Sequence, residues 1–261
     1  MTEANILITE ENGVLTEPII YEVIRVIHTK PLFLEEHLER MTYSLEYYST
    51  VSLDFELIRE RIFDVIKVNN IINQNIRIEV GSITKNSFAY KIFPVESFYP
   101  NEKIYNEGIT VVTALKNRKN PLIKAKDLTF KEYVNELLEK SGAFEVILKD
   151  KDNKLHEGSR SNIFFVKDNL VITSQKGDAL EGITLKNVIK VINESHYKFE
   201  RRDIFMKDLE KLDGAFITGT SIDILPIKKI DEISYDLIDN PVILDLINRF
   251  KQLKLKNIGG M

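Results

Sequence analysis

The chain has 261 residues, 43% hydrophobic and 29% charged, which is typical of a globular protein with one large or two medium domains. A net charge of −4 predicts no basic surface of the kind that nucleic-acid binders show, so we expect no nucleic-acid partner. Because cysteine is absent, disulfides, thiolate nucleophiles and cysteine-ligated metal centres are excluded.

The first half of the chain is predicted to be one strand, two helices and then three strands. The amino-terminal MTEANILITEENG is polar and acidic, unlike a secretory signal. A β-branched, partly alternating run predicts a strand over 18–28, and apolar residues at helical spacing predict a helix over 34–48. Asp54 is a candidate N-cap for the second helix. The next three strands are predicted over 76–84, 87–94 and 109–115.

The second half mixes hairpins with single helices. An amphipathic pattern predicts a helix over 129–141, closed by Gly142. Lys167 and Asp168 are expected to join two strands in a tight hairpin. The other strands are predicted over 144–149, 162–166, 169–173 and 216–221, and the other helices over 184–194 and about 241–255. No apolar run approaches the roughly 20 residues of a spanning helix, so we expect a cytoplasmic protein with no membrane partner.

The order of these elements predicts the fold class. Strands and helices do not alternate regularly, which disfavours a doubly wound parallel sheet and favours a two-domain α+β architecture. The polar, helix-breaking stretch 116–121 (KNRKNP) is the best candidate for a boundary. We therefore predict a small N-terminal domain over 1–115, a linker over 116–121 and a larger, β-rich C-terminal domain over 122–261.

No single motif identifies the chemistry. The GTS at 219–221 lacks the lysine and spacing of a phosphate-binding P-loop, and there is no G-x-G-x-x-G. The four histidines stand singly, without a paired metal-binding spacing, so we expect no metal site. What stands out is the order of six segments: YEVIRV (21–26), EEHLERM (35–41), a lysine near 124, EGSRSNIFFVKDN (157–169), LEGITLKNVI (180–189) and FITGTSIDILPI (216–227).

In this order the chain resembles the class IV, fold-type IV pyridoxal-phosphate enzymes. This group contains the branched-chain aminotransferases, the D-amino acid aminotransferases and the aminodeoxychorismate lyases. The resemblance runs from about Tyr21 to Ile227. It implies a small N-terminal α/β sandwich, a larger β-rich cofactor-binding domain, pyridoxal 5'-phosphate as cofactor, and a homodimer.

The resemblance also implies a lysine that holds the cofactor as an aldimine and then moves protons, and it places this lysine at Lys124. Such a lysine must lose its proton near neutral pH, which an ammonium group can do when desolvated. Lys126 is a rival, since the two side chains would point to the same face of a strand. The relatives usually have Asn three residues after the lysine, where this chain has Asp127 or Thr129. We favour Lys124, and the sequence leaves Lys126 open.

The resemblance assigns further residues to the cofactor. Glu157 is expected to keep the ring nitrogen protonated, with Ser161 and Asn162 bracing the ring site. Arg40, in an H-x-x-R helix, is expected to bind the phosphate. Helix N-termini bind anions because their first N–H groups lack intrahelical partners. The remaining phosphate-binding residues are expected at one helix start and one turn: Gly182, Ile183, Thr184, Gly219 and Thr220.

The expected substrate residues are Tyr21, Arg77 and Ser221. The pairing of Tyr21 with Glu22 resembles the aminotransferases more than the lyases. Lys85 and Lys91 are further candidates for binding a substrate carboxylate. The glycine-rich arginine motif of the relatives is absent after Arg77, so the identity of the substrate is not carried over.

We interpret the sequence as a transaminase that moves an amino group from an amino acid to a 2-oxo acid, both of them small-molecule substrates. Two alternatives stay open. One is a lyase that converts 4-amino-4-deoxychorismate to 4-aminobenzoate and pyruvate. The other is a non-catalytic homologue that keeps the fold and has lost its cofactor.

Overall fold

The computed structural model describes residues 8–9, 14–50, 52–116, 120–235 and 240–259, and of residues 8–9 only the backbone. The chain divides into two compact units. Unit 1 combines Met1–Phe98, Ile123–Lys126 and Lys254–Met261, whereas unit 2 combines Tyr99–Leu122 and Asp127–Leu253. In the part of the chain described, no helix is long and apolar enough to cross a membrane.

Unit 1 is an antiparallel sheet with helices packed against it. Apolar side chains of α1 (Leu34–Glu46) and α2 (Phe55–Val68) share one core with the strands. Asp54 caps α2 as predicted, accepting a hydrogen bond from the N–H of Leu57 at 3.1 Å. The strands lie in the order β1 (Ile8–Thr9), β5 (Ala89–Val95), β4 (Asn73–Gly81), β2 (Ile20–Ile27) and β3 (Lys30–Pro31).

A short extended segment of unit 1 fastens two predicted site residues together. The N–H of Tyr21 donates to the carbonyl of Lys124 at 3.0 Å, and the N–H of Lys126 donates to the carbonyl of Ile19 at 2.8 Å. Along β2 the burial alternates, with Glu22 on the fully buried face and Tyr21 on the partly exposed one. The predicted strand 18–28 therefore sends neighbouring residues to opposite faces of the sheet, as strand geometry requires.

Unit 2 is built on a larger mixed sheet. Its strands are β6 (Ile109–Leu115), β7 (Glu145–Lys149), β8 (Lys154–Gly158), β9 (Asn162–Lys167), β10 (Leu170–Thr173), β11 (Lys198–Arg201), β12 (Ile204–Phe205), β13 (Gly214–Gly219), β14 (Asp223–Ile230) and β15 (Ile233–Ser234). They lie in the order β11, β10, β9, β13, β14, β6, β7, β8 and β12, and β15 pairs with β14. The pairs β10/β11, β6/β14 and β6/β7 are parallel and the others antiparallel.

The remaining helices are α3 (Glu102–Glu107), α4 (Leu128–Ser141), α5 (Ile183–Asn193), a 3-10 helix over Met206–Lys211, and α6 (Pro241–Asn257). Helix α4 packs on β7 through Val134, and Gly142 ends it in the left-handed conformation, as predicted. The core of the sheet includes Phe164 stacked on Phe216, with ring centroids 5.0 Å apart. Mixed helix and strand in two sheets confirms the predicted α+β class.

Two details differ from the sequence-based expectation. The β9–β10 hairpin turns at Asp168–Asn169 rather than at Lys167–Asp168, because Lys167 still pairs with Leu170. Asp168 takes a positive φ of 52°, a conformation that Asp tolerates better than most residues. The second difference is a set of elements that the sequence patterns do not predict, namely helix α3, the 3-10 helix and strands β1, β3, β8, β11, β12, β14 and β15.

The compact units also differ from the predicted domains. Strand β6, which the sequence assigns to the N-terminal domain, pairs with both β7 and β14 and so belongs to unit 2. Ile123–Lys126, from the predicted C-terminal domain, belongs to unit 1, and so does the chain from Lys254. Of the predicted linker 116–121, residues 117–119 lie outside the described residues. A polar break is visible in a sequence, but the strand pairings on either side of it are not.

Candidate active site

Glu157 is a buried carboxylate at the end of β8, with its residue only 3% exposed. Its Oε2 accepts a hydrogen bond from the N–H of Leu180 at 3.0 Å. Asn162, at the start of β9, donates from Nδ2 to the carbonyl of Leu180 at 2.7 Å. Glu157 and Asn162, both predicted site residues, therefore bind the N–H and the carbonyl of the same residue, Leu180.

The loop between them is held by a carboxylate that the sequence reading missed. The hydroxyls of Ser159 and Ser161 both donate to Glu145, the latter at 3.0 Å, and the N–H of Arg160 donates to it at 3.3 Å. The hydroxyl of Ser161, expected to brace the ring site, is thus directed to Glu145. The available signal was an acidic residue directly before the apolar run Val146–Leu148.

Two glycines allow these close approaches. A Cβ at Gly158 would collide with the hydroxyl of Ser161, and a Cβ at Gly182 would collide with the side-chain oxygen of Asn162. Glycine at both positions therefore lets the loop 158–161 close tightly and lets Asn162 lie against the chain that enters α5.

Helix α5 begins in the predicted position with no side chain capping it. Gly182 is the N-cap residue and makes no side-chain hydrogen bond to the helix, and Ile183 and Thr184 are buried. The first N–H groups of a helix lack intrahelical acceptors and attract anions. Gly219, Thr220 and Ser221 lie at the end of β13 and in the turn that leads to β14.

A buried hydroxyl lies on the same strand as this turn. Thr218, 1% exposed, finds no hydrogen-bond partner for its Oγ1 among the described residues. It lies opposite Asn162 in the β9–β13 register. An unpaired buried hydroxyl usually implies an additional partner such as a water or a ligand.

In unit 1, the aromatic ring of Tyr21 is the centre of a cationic cluster. The Nζ of Lys124 lies 4.8 Å from the ring centroid, and the guanidinium carbon of Arg77 lies 4.2 Å from it. Both distances are within the range of attractive cation–π contacts. The structure therefore brings the predicted anchor lysine and two predicted substrate residues together.

Glu79, a second carboxylate that the sequence patterns do not single out, pairs with one of the two candidate lysines. The Nζ of Lys126 lies 2.6 Å from Oε1 of Glu79, and the Nε of Arg77 lies 2.7 Å from the same oxygen. Lys126 is thus held in an ion pair. Of the other proposed carboxylate partners, Lys85 is exposed and Lys91 lies opposite Glu79 in the β4–β5 register.

Arg40 lies on α1 in a buried charge cluster. Its Nε and Nη2 donate to the two oxygens of Glu22 at 2.7 and 2.6 Å, and Nδ1 of His37 lies 2.7 Å from Oε2 of Glu22. Burial alone would raise the pKa of Glu22, but the charge of Arg40 and the hydrogen bonds from His37 and Arg40 lower this pKa to about 2. The pKa of His37 is lowered, chiefly by burial. A neutral His37 must then carry its proton on Nδ1 to donate to the carboxylate.

The family model described as amino-transferase class IV matches residues 19–230 of the chain. The chain is 28% identical over 231 residues to the D-alanine aminotransferase of Listeria monocytogenes serotype 1/2a, covering 81% of this chain and 78% of that protein. It is 26% identical over 251 residues to the branched-chain-amino-acid aminotransferase-like protein 1 of Arabidopsis thaliana, covering 90% of this chain. The chain spans only 45% of that relative's length.

Solved structures with the same fold include a branched-chain amino acid aminotransferase crystallised with pyridoxamine 5'-phosphate. It superimposes with a TM-score of 0.82 at 22% identity, covering 94% of this chain and 86% of that one. The branched-chain amino acid aminotransferase of Escherichia coli gives a TM-score of 0.81 at 23% identity, covering 94% and 89%. At such identities the likeness shows the fold of the chain.

Proposed function

Because the chain belongs to the class IV aminotransferase family, we propose that it is a pyridoxal-phosphate-dependent transaminase acting on an amino acid and a 2-oxo acid. The observation that carries this proposal lies in unit 2. There, a buried carboxylate (Glu157) accepts a hydrogen bond from Leu180, two residues before Gly182, the N-cap residue of α5, which has no side chain to cap the helix. These are the two features that a phosphorylated pyridine requires. Bound pyridoxal phosphate would supply an electron-accepting ring that stabilises negative charge next to the transferred nitrogen.

The residues of unit 2 fit both polar ends of such a cofactor. Glu157 is a buried anion and would hold a proton on the ring nitrogen. The first N–H groups of α5, at Ile183 and Thr184, would donate to the phosphate. Thr220 and the buried hydroxyl of Thr218 add donors on a second element. We therefore assign the ring to Glu157 and the phosphate to the α5 start and the 218–220 turn.

We assign the covalent anchor and the movement of protons to Lys124. Its nitrogen lies beside the face of Tyr21. The nitrogen of its rival Lys126 lies in an ion pair with Glu79, which would have to break before that nitrogen could form a covalent bond. Arg40 stays a proposed phosphate ligand. Its Nε and Nη2 both donate to the carboxylate of Glu22, and this two-point contact fixes the orientation of the guanidinium plane.

On the substrate side, we propose that Tyr21 and Arg77 orient the amino acid. The ring of Tyr21 lies beside the nitrogen of Lys124. Arg77 supplies a cation that is held by its contact with that ring and by its ion pair with Glu79. Ser221, in the turn after β13, is proposed as a hydrogen-bonding partner of the substrate. We also propose that the enzyme is a homodimer, as the family resemblance implies, and that it is cytoplasmic, as expected from a sequence without a signal pattern or a long apolar run.

The test is a half-reaction followed by the absorbance of the bound cofactor. The purified protein, loaded with pyridoxal phosphate, is mixed with single amino acids of both configurations and then with 2-oxo acids. We expect the cofactor to convert to its amino form with the first substrate and to return with the second. Release of 4-aminobenzoate and pyruvate from 4-amino-4-deoxychorismate would instead identify the lyase. A protein that retains no cofactor absorbance after unbound pyridoxal phosphate is removed would be the non-catalytic homologue.

A further inference from the structure

We propose that Glu145 is the positioning residue of the cofactor site. Through hydrogen bonds to the loop 158–161, it would set the positions of the ring partner Glu157 and of the helix start that binds the phosphate. The inference rests on the proposed function, although its first measurement does not. Glu145 itself would touch neither cofactor nor substrate.

Four hydrogen-bond donors converge on the carboxylate of Glu145. Glu145 is 2% exposed at the start of β7. Its Oε1 accepts from the hydroxyl of Ser159 and from the N–H of Val146 at 2.8 Å. Its Oε2 accepts from the hydroxyl of Ser161 and the N–H of Arg160. Three of these four donors belong to one loop, and hydrogen bonds to a charged acceptor are about twice as strong as neutral ones.

The loop 158–161 lies directly between two predicted site residues in the chain. Glu157 comes directly before it, and Asn162 directly after it. The N–H of Ser159 also donates to the carbonyl of Val146 at 2.8 Å, which fixes the loop to the strand that carries Glu145. A loop held at Ser159, Arg160 and Ser161 leaves little freedom to the residues at its two ends.

The residues at the two ends of the loop, Glu157 and Asn162, are connected to the start of α5 through Leu180. Glu157 accepts from the N–H of Leu180 and Asn162 donates to its carbonyl. That carbonyl also accepts from the N–H of Gly182 at 2.8 Å, and the carbonyl of Gly182 accepts from Lys186 in the first turn of the helix. Leu180 therefore connects the two ends of the loop 158–161 to the start of α5.

A purely structural buried carboxylate would have a different signature. Its loss would lower the stability of unit 2 as a whole. A positioning role instead predicts a local change at Leu180 and the helix start, since those residues depend on the loop without touching Glu145. The two roles are separated by measuring local amide exchange next to global stability.

The test compares Glu145→Gln with Asp231→Asn. Both changes remove a charge with almost no change in shape. Asp231 is a matched control in the same unit: its carboxylate accepts from the N–H and the hydroxyl of Thr113, at 2.8 and 2.6 Å. The positive φ of Asp231 is tolerated by Asn. Amide hydrogen exchange of the cofactor-free and cofactor-loaded proteins is followed by mass spectrometry, alongside urea unfolding.

In Glu145→Gln we expect peptides covering 180–186 to exchange about ten-fold faster than in the parent, with or without cofactor. In Asp231→Asn these peptides should exchange at the parental rate. We expect the dissociation constant for pyridoxal phosphate to rise about ten-fold in Glu145→Gln alone. In steady-state transamination with both substrates, kcat should fall while KM for the amino acid stays close to that of the parent, since Glu145 does not touch the substrate.

The proposal is overturned if 180–186 exchanges at the parental rate in Glu145→Gln, or if the control speeds that region equally. Should Glu145→Gln fail to fold, Ser159→Ala removes one donor to the same carboxylate and must produce a smaller change in the same peptides. A parent protein that binds no cofactor would refute the proposed function, whereas the exchange result on the cofactor-free protein still decides the role of Glu145.

Discussion

At the scale of single residues, the structure gives different surroundings to two lysines that strand periodicity does not distinguish. Lys124 and Lys126 lie two positions apart in one extended segment. Their surroundings differ because Glu79 lies within ion-pair distance of one, and the ring of Tyr21 lies next to the other. The difference arises from a strand about 45 residues earlier in the chain, which no local pattern reveals.

This difference leads to a labelling prediction. Borohydride reduction of the cofactor-loaded protein, followed by peptide mapping, should place the pyridoxyl group on Lys124. In Lys126→Ala the label should stay on Lys124, because the ion pair with Glu79 is not needed for the covalent bond. A label on Lys126 in the parent protein would move the anchor by two residues and contradict our assignment.

A second residue-scale prediction concerns the stability of the protein in acid. A carboxyl whose pKa is lowered on folding stabilises the fold above its unfolded pKa, and this stability is lost as the pH falls through the folded pKa. For Glu22 the window runs from the ordinary 4.5 down to about 2. We expect the free energy of unfolding to lose about 2 kcal/mol between about pH 5 and about pH 3 through this residue alone.

Urea unfolding at the two pH values checks this prediction. Glu22→Gln should show a shallower decrease than the parent by about that amount, since glutamine does not titrate. Glu35→Gln is the control: Glu35 is an exposed carboxylate paired with Arg59, and its loss should leave the pH slope nearly unchanged. Equal slopes in the parent and in Glu22→Gln would mean that Arg40 and His37 do not lower the pKa of Glu22.

At the scale of elements, helix α1 gives Arg40 two possible roles. Helical spacing places His37 and Arg40 one turn apart, and both reach Glu22 on the buried face of β2. The sequence predicts the helix and the spacing. It does not reveal that β2 supplies a carboxylate to this face, so Arg40 could be interpreted only as a phosphate ligand.

The element-scale prediction compares Arg40 with Thr220 of the β13–β14 turn. Arg40→Ala leaves a buried carboxylate without its main partner, so it should lower the free energy of unfolding by about 3–5 kcal/mol even without cofactor. Thr220→Val should leave that free energy nearly unchanged. It should weaken cofactor binding by up to about ten-fold, the value of one neutral hydrogen bond.

Urea unfolding of the cofactor-free proteins and titration with pyridoxal phosphate separate the two roles. Because Arg40 is also a proposed phosphate ligand, Arg40→Ala should weaken binding more than Thr220→Val does. If the folded fraction of Arg40→Ala binds the cofactor as tightly as the parent, Arg40 serves only Glu22 and His37. The phosphate site would then consist of the α5 start and the turn.

At the scale of the whole molecule, binding of the cofactor should stabilise the folded chain. A ligand at about 100 times its dissociation constant adds about 2.7 kcal/mol. For a chain of 261 residues this corresponds to a rise in Tm of roughly 5–10 °C. Pyridoxal without the phosphate is the matched control and should give a much smaller rise. Equal shifts for the two compounds would show that the phosphate contributes little to binding.

The sequence by itself determined most of the longer elements, the fold class and the family. Strand and helix periodicity, the Asp54 and Gly142 caps and the order of six motifs are all local features, and each can be read without knowing which segments meet. The resemblance that these motifs carry assigns Glu157 to the cofactor ring and the α5 start, with Gly219 and Thr220, to its phosphate, and these assignments stay predictions.

Only the tertiary structure decided which strands pair and which side chains meet. It moved β6 into the larger sheet, added Ile123–Lys126 to unit 1, and brought Glu145 and Glu79 to groups far away in the chain. The physical reason is that an isolated acidic residue in a strand carries no periodic signal. Its partner is fixed by sheet register, and that register is set by the packing of the whole core rather than by its neighbours in sequence.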